Sequence, residues 1–140
     1  MEKFKIYTLK NIEAPNLLMT PMELKDYIDF DVKRIYFIVH PKTGETGGHC
    51  HYKEKECFIL IQGKCKAIID QGNGKEEITL EGPKNAIYVA NYVWHGFQDM
   101  SPDTVLLALS STNYNPDRSD YLEDYAQYLT IRDEKLKETI

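Results

Sequence analysis

HCHYKEKECFILIQG, from His49 to Gly63, is the stretch that most restricts the fold and the chemistry of this chain. His49 and His51 stand two residues apart, and on an extended segment side chains with that spacing point to the same face. The charged break YKEK can turn the chain, so that Glu56 returns a carboxylate toward the two imidazoles. A third imidazole, His95, follows in NYVWHGF. Three imidazoles and a carboxylate converging inside a small β-barrel indicate either a metal site or an acid/base site.

The size and composition of the chain favour one globular domain over residues 1–140. Its apolar fraction is 42% and its aromatic fraction 11%, which is ordinary for a folded protein and too high for a disordered one. The net charge of −5 argues against a nucleic-acid partner, because binding to nucleic acid depends on basic patches.

Cysteine usage and the N-terminal segment predict a soluble, cytoplasmic protein. The chain has three cysteines, Cys50, Cys57 and Cys65, which form no CxxC pair, as expected in a reducing compartment. The N-terminal MEKFKIYTLKN has no apolar signal region, and no apolar run reaches the roughly 18 residues of a membrane span. We therefore expect no membrane partner.

Short segments rich in β-branched and aromatic residues recur between turn signals. Asn and Gly tolerate positive φ, so QGNG at 71–74 predicts a hairpin turn, and Glu45–Gly48 is expected to be a loop. The predicted strands are Phe4–Leu9, Asp31–His40, His49–His51, Cys57–Gln62, Lys64–Asp70, Glu77–Leu80, Ala86–Ala90, Val93–Met100 and Thr104–Ser111. This pattern is typical of an all-β sandwich or jelly-roll barrel.

The C-terminal segment has a different pattern, which predicts one short α-helix. Asp120 and Glu123 fit a capping box at the start of the helix. The residues expected on its apolar stripe are Tyr121, Leu122, Tyr125 and Leu129. We expect this stripe to pack on the sheet rather than to bind a partner.

The spacing of the opening stretch resembles the first signature of the cupin superfamily: HxH, four residues, Glu, six residues, Gly. The second cupin signature places Pro, Gly and then His on a later strand. Here His95 takes the histidine position, while Ala90 and Tyr92 stand where Pro and Gly are usual. The resemblance implies a cupin-like jelly roll, to which this chain adds the short C-terminal helix.

A narrower resemblance covers most of the chain, from about Met19 to Leu129. The segments TPMEL, DVKRIYFI, GGHCHYK, IYVANYVWHGFQDMSPDTVLLALSS and DYLEDYAQYL resemble, in order and spacing, the cupin-type sugar nucleotide 3,4-ketoisomerases. The resemblance implies an isomerase that needs no metal or other cofactor and converts dTDP-4-keto-6-deoxyglucose to a dTDP-3-keto-6-deoxyhexose. It also implies a homodimer with exchanged N-terminal strands, and a deoxy-amino-sugar product for a surface glycan such as lipopolysaccharide.

A keto shift between neighbouring carbons needs a base, a proton donor and a group that stabilises an oxyanion. We expect His49 and His51 to be the proton-transfer pair, because the unperturbed pKa of histidine is about 6.5. Arg34 and Tyr36 share one face of their strand, so Arg34 can bind a diphosphate or stabilise an enediolate. The predicted substrate-binding residues are Arg34, Tyr36, Lys53 and His95.

Three positions depart from the pattern that is usual among these isomerases. Thr46 stands where Arg is usual and Tyr52 where Lys is usual, so two positive charges are lost near the site and Lys53 replaces them only in part. Glu56 stands where Gln is common, which restores the metal-binding pattern of other cupins. Two alternatives therefore stay open. One is a metal-dependent cupin, such as a dioxygenase, with ligands His49, His51, Glu56 and His95; the other is a non-catalytic sugar-binding cupin.

Overall fold

The computed structural model describes residues 2–137. In chain order its strands are β1 (Phe4–Thr8), β2 (Ile12–Ala14), β3 (Leu17–Met19), β4 (Arg34–Val39), β5 (Thr46–His51), β6 (Glu56–Gln62), β7 (Lys64–Asp70), β8 (Lys75–Glu81), β9 (Asn85–Val89), β10 (Trp94–Gln98), β11 (Val105–Ser110) and β12 (Tyr121–Leu122). A 3₁₀ turn at Leu24–Asp26 precedes β4, and the α-helix α1 (Tyr125–Leu136) follows β12.

The strands form two five-stranded antiparallel sheets. The first has the order β1-β9-β6-β11-β4, and the second has the order β12-β5-β10-β7-β8. The sheets face each other across an apolar core in which Leu60, Ile69 and Leu106 are fully buried. Because strand side chains alternate in direction, each sheet contributes one face to this core. The prediction of an all-β, jelly-roll architecture with one C-terminal helix is confirmed.

The expected loop at Glu45–Gly48 is wrong, since β5 already begins at Thr46. Gly47 and Gly48 adopt φ values of 80° and 88°, which side chains other than glycine rarely adopt. The register shifts here: His95 of β10 lies opposite His49, but the next residue, Gly96, lies opposite Gly47. The two glycines therefore form a β-bulge, and the strand continues through it to the histidines.

The helix begins one turn later than the capping-box pattern predicts. The N-cap is Asp124, whose side chain accepts hydrogen bonds from the backbone N–H groups of Ala126 and Gln127. Asp120 caps no helix, because it precedes β12. The expected apolar stripe is also wrong in detail: Tyr121 and Leu122 form β12, and Leu129 is 43% exposed.

The helix packs on the outer face of the second sheet, as expected, but through another residue. Tyr128 is fully buried in a cluster with Cys50, Trp94 and Leu122. Its single hydroxyl hydrogen is shared between the carbonyl oxygens of Tyr92, at 2.7 Å, and Asp70, at 3.1 Å. Trp94 and Cys50 face this helix while their chain neighbours His95 and His49 face the interior, because side-chain direction alternates along a strand.

Sequence patterns did not reveal the β2–β3 hairpin, whose three-residue strands pair only with each other within residues 2–137. Most of its apolar side chains are exposed, notably Leu17, Leu18 and Met19. Within the same residues, no helix has the length and apolarity that crossing a bilayer would require.

Because β5 and β10 approach each other closely, a methyl group added at their contact should destabilise the fold more than one added at an open position. A Cβ at Gly96 would lie 2.8 Å from the backbone nitrogen of Gly48, so Gly96→Ala must separate the strands that carry His49 and His95. We expect the free energy of unfolding, measured in urea, to fall by about 3 kcal/mol, at the top of the range for overpacking. Gly74→Ala is the control, since its Cβ meets nothing within 4 Å and only its left-handed backbone costs about 1 kcal/mol. Equal losses in the two variants would contradict this account.

Candidate active site

Side chains from both sheets meet between them in one polar group. β5 supplies His49 and His51, and β10 supplies His95, whose backbone pairs directly with that of His49. The ring centroids of His49 and His51 lie 4.8 Å apart, as do those of His49 and His95. From the facing sheet, β6 supplies Glu56 and β4 supplies Tyr36. The three imidazoles and the carboxylate that the sequence pattern predicted together are therefore assembled.

Glu56 lies at the centre of this group and is buried. Its Oε1 atom is 3.1 Å from Nε2 of His51 and 3.3 Å from Nε2 of His95. Its other oxygen, Oε2, accepts a 2.6 Å hydrogen bond from the hydroxyl of Tyr36. Nδ1 of His95 lies 3.0 Å from the carbonyl oxygen of Val93, to which it donates, because a carbonyl can only accept. Glu56 thus joins two strands of the second sheet to two strands of the first.

Two further carboxylates lie on the other side of His51. Its Nδ1 atom is 3.3 Å from Oε1 of Glu54 and 3.5 Å from Oδ2 of Asp120. The hydroxyl of Ser110 donates a hydrogen bond to the second oxygen of Glu54. Sequence reasoning missed both acids. Glu54 was visible as part of the charged break before Glu56, whereas Asp120 reaches the site only because Tyr121 pairs with His51 in the β12–β5 ladder.

These carboxylates keep His51 protonated. Burial disfavours its charged form, but Asp120 and Glu56 outweigh burial and raise the pKa of His51 to about 9. Burial likewise opposes ionisation of Glu56, yet the neighbouring His51 and His95 hold the pKa of its carboxyl well below the usual range. At neutral pH His51 and Glu56 therefore form a buried ion pair.

His49 has the opposite character although it stands two residues away. Burial, together with the charges of His95 and His51, lowers the pKa of His49 to about 3, so its ring is neutral at physiological pH. Burial and the charge of Glu56 raise the pKa of Tyr36 far above its usual range, so its hydroxyl keeps its proton. The site therefore combines one neutral and one protonated imidazole in contact.

A cavity of about 490 Å³ adjoins this group. Its lining includes Arg34, Lys53, Glu54, Tyr114, Asp120 and Tyr121. The guanidinium of Arg34 lies over the rings of Tyr36 and Tyr114, at 4.6 and 5.1 Å from their centroids. Tyr121 lines this cavity and also contacts both histidines, with its ring centroid 5.0 Å from that of His49 and 4.5 Å from that of His51.

The predicted substrate-binding residues therefore divide into two sets. Arg34 and Lys53 lie at the large cavity, whereas Tyr36 and His95 contact Glu56. A second cavity, of about 80 Å³, reaches His49 from another side and is also lined by Thr46.

The geometry also bears on the metal alternative. The donor atoms of His49, His51, Glu56 and His95 all lie within 4.8 Å of one another. A mixed set of imidazoles and one carboxylate is typical of transition-metal sites. Within residues 2–137, buried side-chain atoms without a well-aligned hydrogen-bond partner are Nδ1 of His51, Oε1 of Glu56 and Nε2 of His95, which all belong to this group.

The two-sheet barrel with its buried imidazole–carboxylate group has the architecture of a cupin-like protein. The chain belongs to the family described as FdtA: WxcM-like, C-terminal, which it matches over residues 2–133.

Three similar proteins are named for the same activity. The TDP-4-oxo-6-deoxy-alpha-D-glucose-3,4-oxoisomerase of Aneurinibacillus thermoaerophilus is 34% identical over 125 residues, which cover 89% of this chain and 88% of that protein. The 3,4-ketoisomerase QdtA of Thermoanaerobacterium thermosaccharolyticum, solved with TDP, is 28% identical, with a TM-score of 0.83 and coverage of 95% and 96% of the two chains. A 3,4-ketoisomerase from Helicobacter canadensis is 26% identical, with a TM-score of 0.82 and coverage of 95% and 99%. These relatives are isomerases, so the dioxygenase alternative is not favoured.

The charge of Glu56 predicts a change in the titration of His51. In Glu56→Gln the shape of the side chain is kept and the nearest negative charge is removed, so we expect the pKa of His51 to fall from about 9 by roughly one to three units. NMR titration of the imidazole resonances measures this change. Glu77→Gln, at an exposed position on β8, serves as the control and should leave the titration unchanged. An unaltered His51 pKa in Glu56→Gln would contradict the ion pair.

The same variant tests the effect of His51 on stability. Because its pKa is higher in the folded protein than the unfolded value of about 6.5, its contribution is complete below pH 6.5 and is lost as the pH rises through about 9. We expect the unfolding free energy of the wild-type protein to fall over this interval more steeply than that of Glu56→Gln.

Proposed function

We propose that this protein is a TDP-sugar 3,4-ketoisomerase that converts dTDP-4-keto-6-deoxyglucose to a dTDP-3-keto-6-deoxyhexose. The observation that carries the proposal is the pair of rings, a neutral His49 and a protonated His51 with centroids 4.8 Å apart, beside a large cavity. Family membership supports the substrate, because the A. thermoaerophilus relative is named for the 3,4-oxoisomerisation of this sugar nucleotide.

The chemistry requires one proton to leave C3 and another to reach C4. The C4 carbonyl acidifies the C3 proton, and its removal gives an enediolate. Protonation of C4, together with transfer of the hydroxyl proton from O3 to O4, leaves the carbonyl on C3. We assign the acceptor role to His49, whose ring is neutral and less buried than that of His51. The donor is His51, which three carboxylates hold in its protonated form.

Contact between the rings couples the two transfers. A second cation beside protonated His51 is unfavourable, which is one reason for the low pKa of His49. Once His51 gives its proton to C4, that repulsion is gone and the proton taken from C3 is held on His49 at lower cost. The pair therefore carries one positive charge before and after the keto shift.

The large cavity is the proposed site of the rest of the substrate. Arg34 and Lys53 give it positive charge, which suits a diphosphate, and Arg34 is held in place between two tyrosine rings. Tyr52, where relatives of this type usually have Lys, also lines it. Tyr36 and His95 would complete the sugar subsite around Glu56. No metal or other cofactor is required by this scheme.

We further propose a homodimer in which the N-terminal segments are exchanged. The outer face of β4, at an edge of the first sheet, exposes Ile35, Phe37 and Val39, with Phe37 68% exposed. Apolar side chains in a row on an unpaired edge are an association surface. The β2–β3 hairpin is the N-terminal segment best suited to cover the partner's edge, since its strands pair only with each other within residues 2–137.

The proposal extends to the cellular role. The whole chain, residues 1–140, would act as one catalytic domain in the cytoplasm, where the buried free thiols of Cys50, Cys57 and Cys65 stay reduced. The 3-keto product is the substrate that an aminotransferase needs to make a 3-amino sugar. Such a sugar would enter a surface glycan, for example a lipopolysaccharide.

The reaction itself is the first test. Chelator-treated protein is incubated with dTDP-4-keto-6-deoxyglucose in D₂O, and NMR follows the sugar. We expect the 3-keto sugar with deuterium at C4, because the donor exchanges with solvent between turnovers. Unchanged substrate would contradict the isomerase and leave the sugar-binding alternative, and activity restored only by added metal would favour the metal-dependent one.

Substitution of the pair tests the assigned roles. His51→Asn is expected to lose roughly 10²- to 10⁴-fold in kcat, the usual contribution of a positioned proton-transfer group, and His49→Asn is expected to be strongly impaired. His40→Asn is the matched control, because His40 is exposed and has a φ of 53°, which Asn tolerates. Full activity in His51→Asn would remove that residue from the mechanism.

Light scattering tests the dimer. We expect a particle of twice the 16.3 kDa chain mass at micromolar concentration and a monomer for Phe37→Asp, because a carboxylate at the centre of the apolar face cannot be buried without a partner. Leu129→Asp, at an exposed position on α1, should leave the dimer intact. A wild-type monomer would contradict the proposal.

A further inference from the structure

The donor of the proposed reaction is almost completely buried. The side chain of His51 is only 2% exposed, with Glu56 at Nε2, Glu54 and Asp120 at Nδ1, and the ring of Tyr121 against its face. Each turnover nevertheless takes one proton from this ring. His51 must therefore regain a proton through one of the groups that surround it.

The three carboxylates around His51 differ in their access to water. Glu56 is 2% exposed and is engaged by Tyr36 and His95. Glu54 is 4% exposed, and its second oxygen is taken by Ser110. Asp120 is 22% exposed and lines the large cavity. Glu54 and Asp120 both contact the ring and line the cavity, but Asp120 is much the more exposed, so it is the carboxylate best placed to connect the buried ring with solvent.

The backbone holds Asp120 in this position. The N–H groups of Lys53 and Glu54 donate to its Oδ1 and Oδ2 atoms at 2.8 and 3.1 Å. The N–H of Tyr52 donates to its carbonyl oxygen at 3.1 Å. Since these donors immediately follow His51 in the chain, the carboxylate is fixed against the turn that carries the ring.

We propose that Asp120 is the group through which His51 exchanges its proton with solvent, and hence the group that recharges the donor after each turnover. This inference rests on the proposed function, because it assigns the return path of the proton that the isomerisation consumes. After His51 has given its Nδ1 proton to C4, Asp120 takes a proton from cavity water and passes it back to Nδ1, the nitrogen that it faces. His49 releases the proton from C3 through the smaller cavity that it lines, so a complete turnover neither consumes nor produces a proton.

The test measures how long His51 retains protium after the protein is transferred to D₂O. Protein equilibrated in H₂O is mixed into D₂O, substrate is added after a variable delay, and the first turnover is quenched. Mass spectrometry then gives the fraction of product with protium at C4. Wild-type protein should lose this protium within the shortest delay. Asp120→Asn should retain it for delays about 10²-fold longer, with a first turnover at near wild-type rate followed by a slow steady state.

A structural role for Asp120 predicts a different outcome. If the residue only positions His51, Asp120→Asn slows first and later turnovers equally and loses protium as fast as the wild type, which would overturn the proposal. Asp117→Asn, at an exposed carboxylate of the same loop, is the control and should behave as the wild type.

Two further measurements keep the result interpretable. If Asp120→Asn does not fold, Asp120→Ser takes its place, because its hydroxyl still accepts a backbone N–H. Added formate should then restore rapid loss of protium, and its failure to do so would count against the relay. A wild-type protein that makes no 3-keto sugar contradicts the proposed function, whereas an active wild type with unaltered exchange in the variants contradicts only the role of Asp120.

Discussion

The ring of His51 carries a positive charge inside the barrel, and its burial is offset by three carboxylates at 3.1 to 3.5 Å. Removing such a charge from water costs several kcal/mol, which is recovered only where partners are close and themselves held. Glu56 lies on β6 of the first sheet and His51 on β5 of the second, so their ion pair spans the two layers. Tyr36, Ser110 and the turn at 52–54 hold those carboxylates in place through hydrogen bonds.

The local sequence pattern was enough to predict the part of the site that β5 and β6 carry. The HxH spacing placed His49 and His51 on one face, and the charged break correctly returned Glu56 to them. Strand β7 and the turn at 71–74 were also predicted with their observed limits. These features depend on period-two alternation and on turn residues, which are local properties of the chain.

The other half depends on pairing between distant segments. Asp120 fits a helix cap because Glu123 follows it at the right spacing, yet Asp124 offers the same cap one turn later. The pairing of β12 with β5, which places Tyr121 opposite His51, decides between the two caps. No local sequence pattern predicts that pairing. The bulge at Gly47 and Gly48 is similar: glycines suggest a loop, while the close approach of Gly96 on β10 uses them within a strand.

Two properties of the His51 proton, how firmly it is held and how fast it is replaced, depend in part on different carboxylates. Glu56, enclosed between the histidines, contributes with Asp120 to how firmly His51 holds its charge, because both carboxylates raise the pKa of that ring. Asp120 also sets how fast that proton is replaced, because it is the most exposed of the three carboxylates, whereas Glu54, which lines the same cavity, is only 4% exposed. A Gln at position 56 would weaken the first property and leave the second intact. Replacing Glu56 by Gln changes the charge state of the donor without closing its route to solvent. The protonation equilibrium of His51 can therefore change while the rate at which its proton is replaced stays the same.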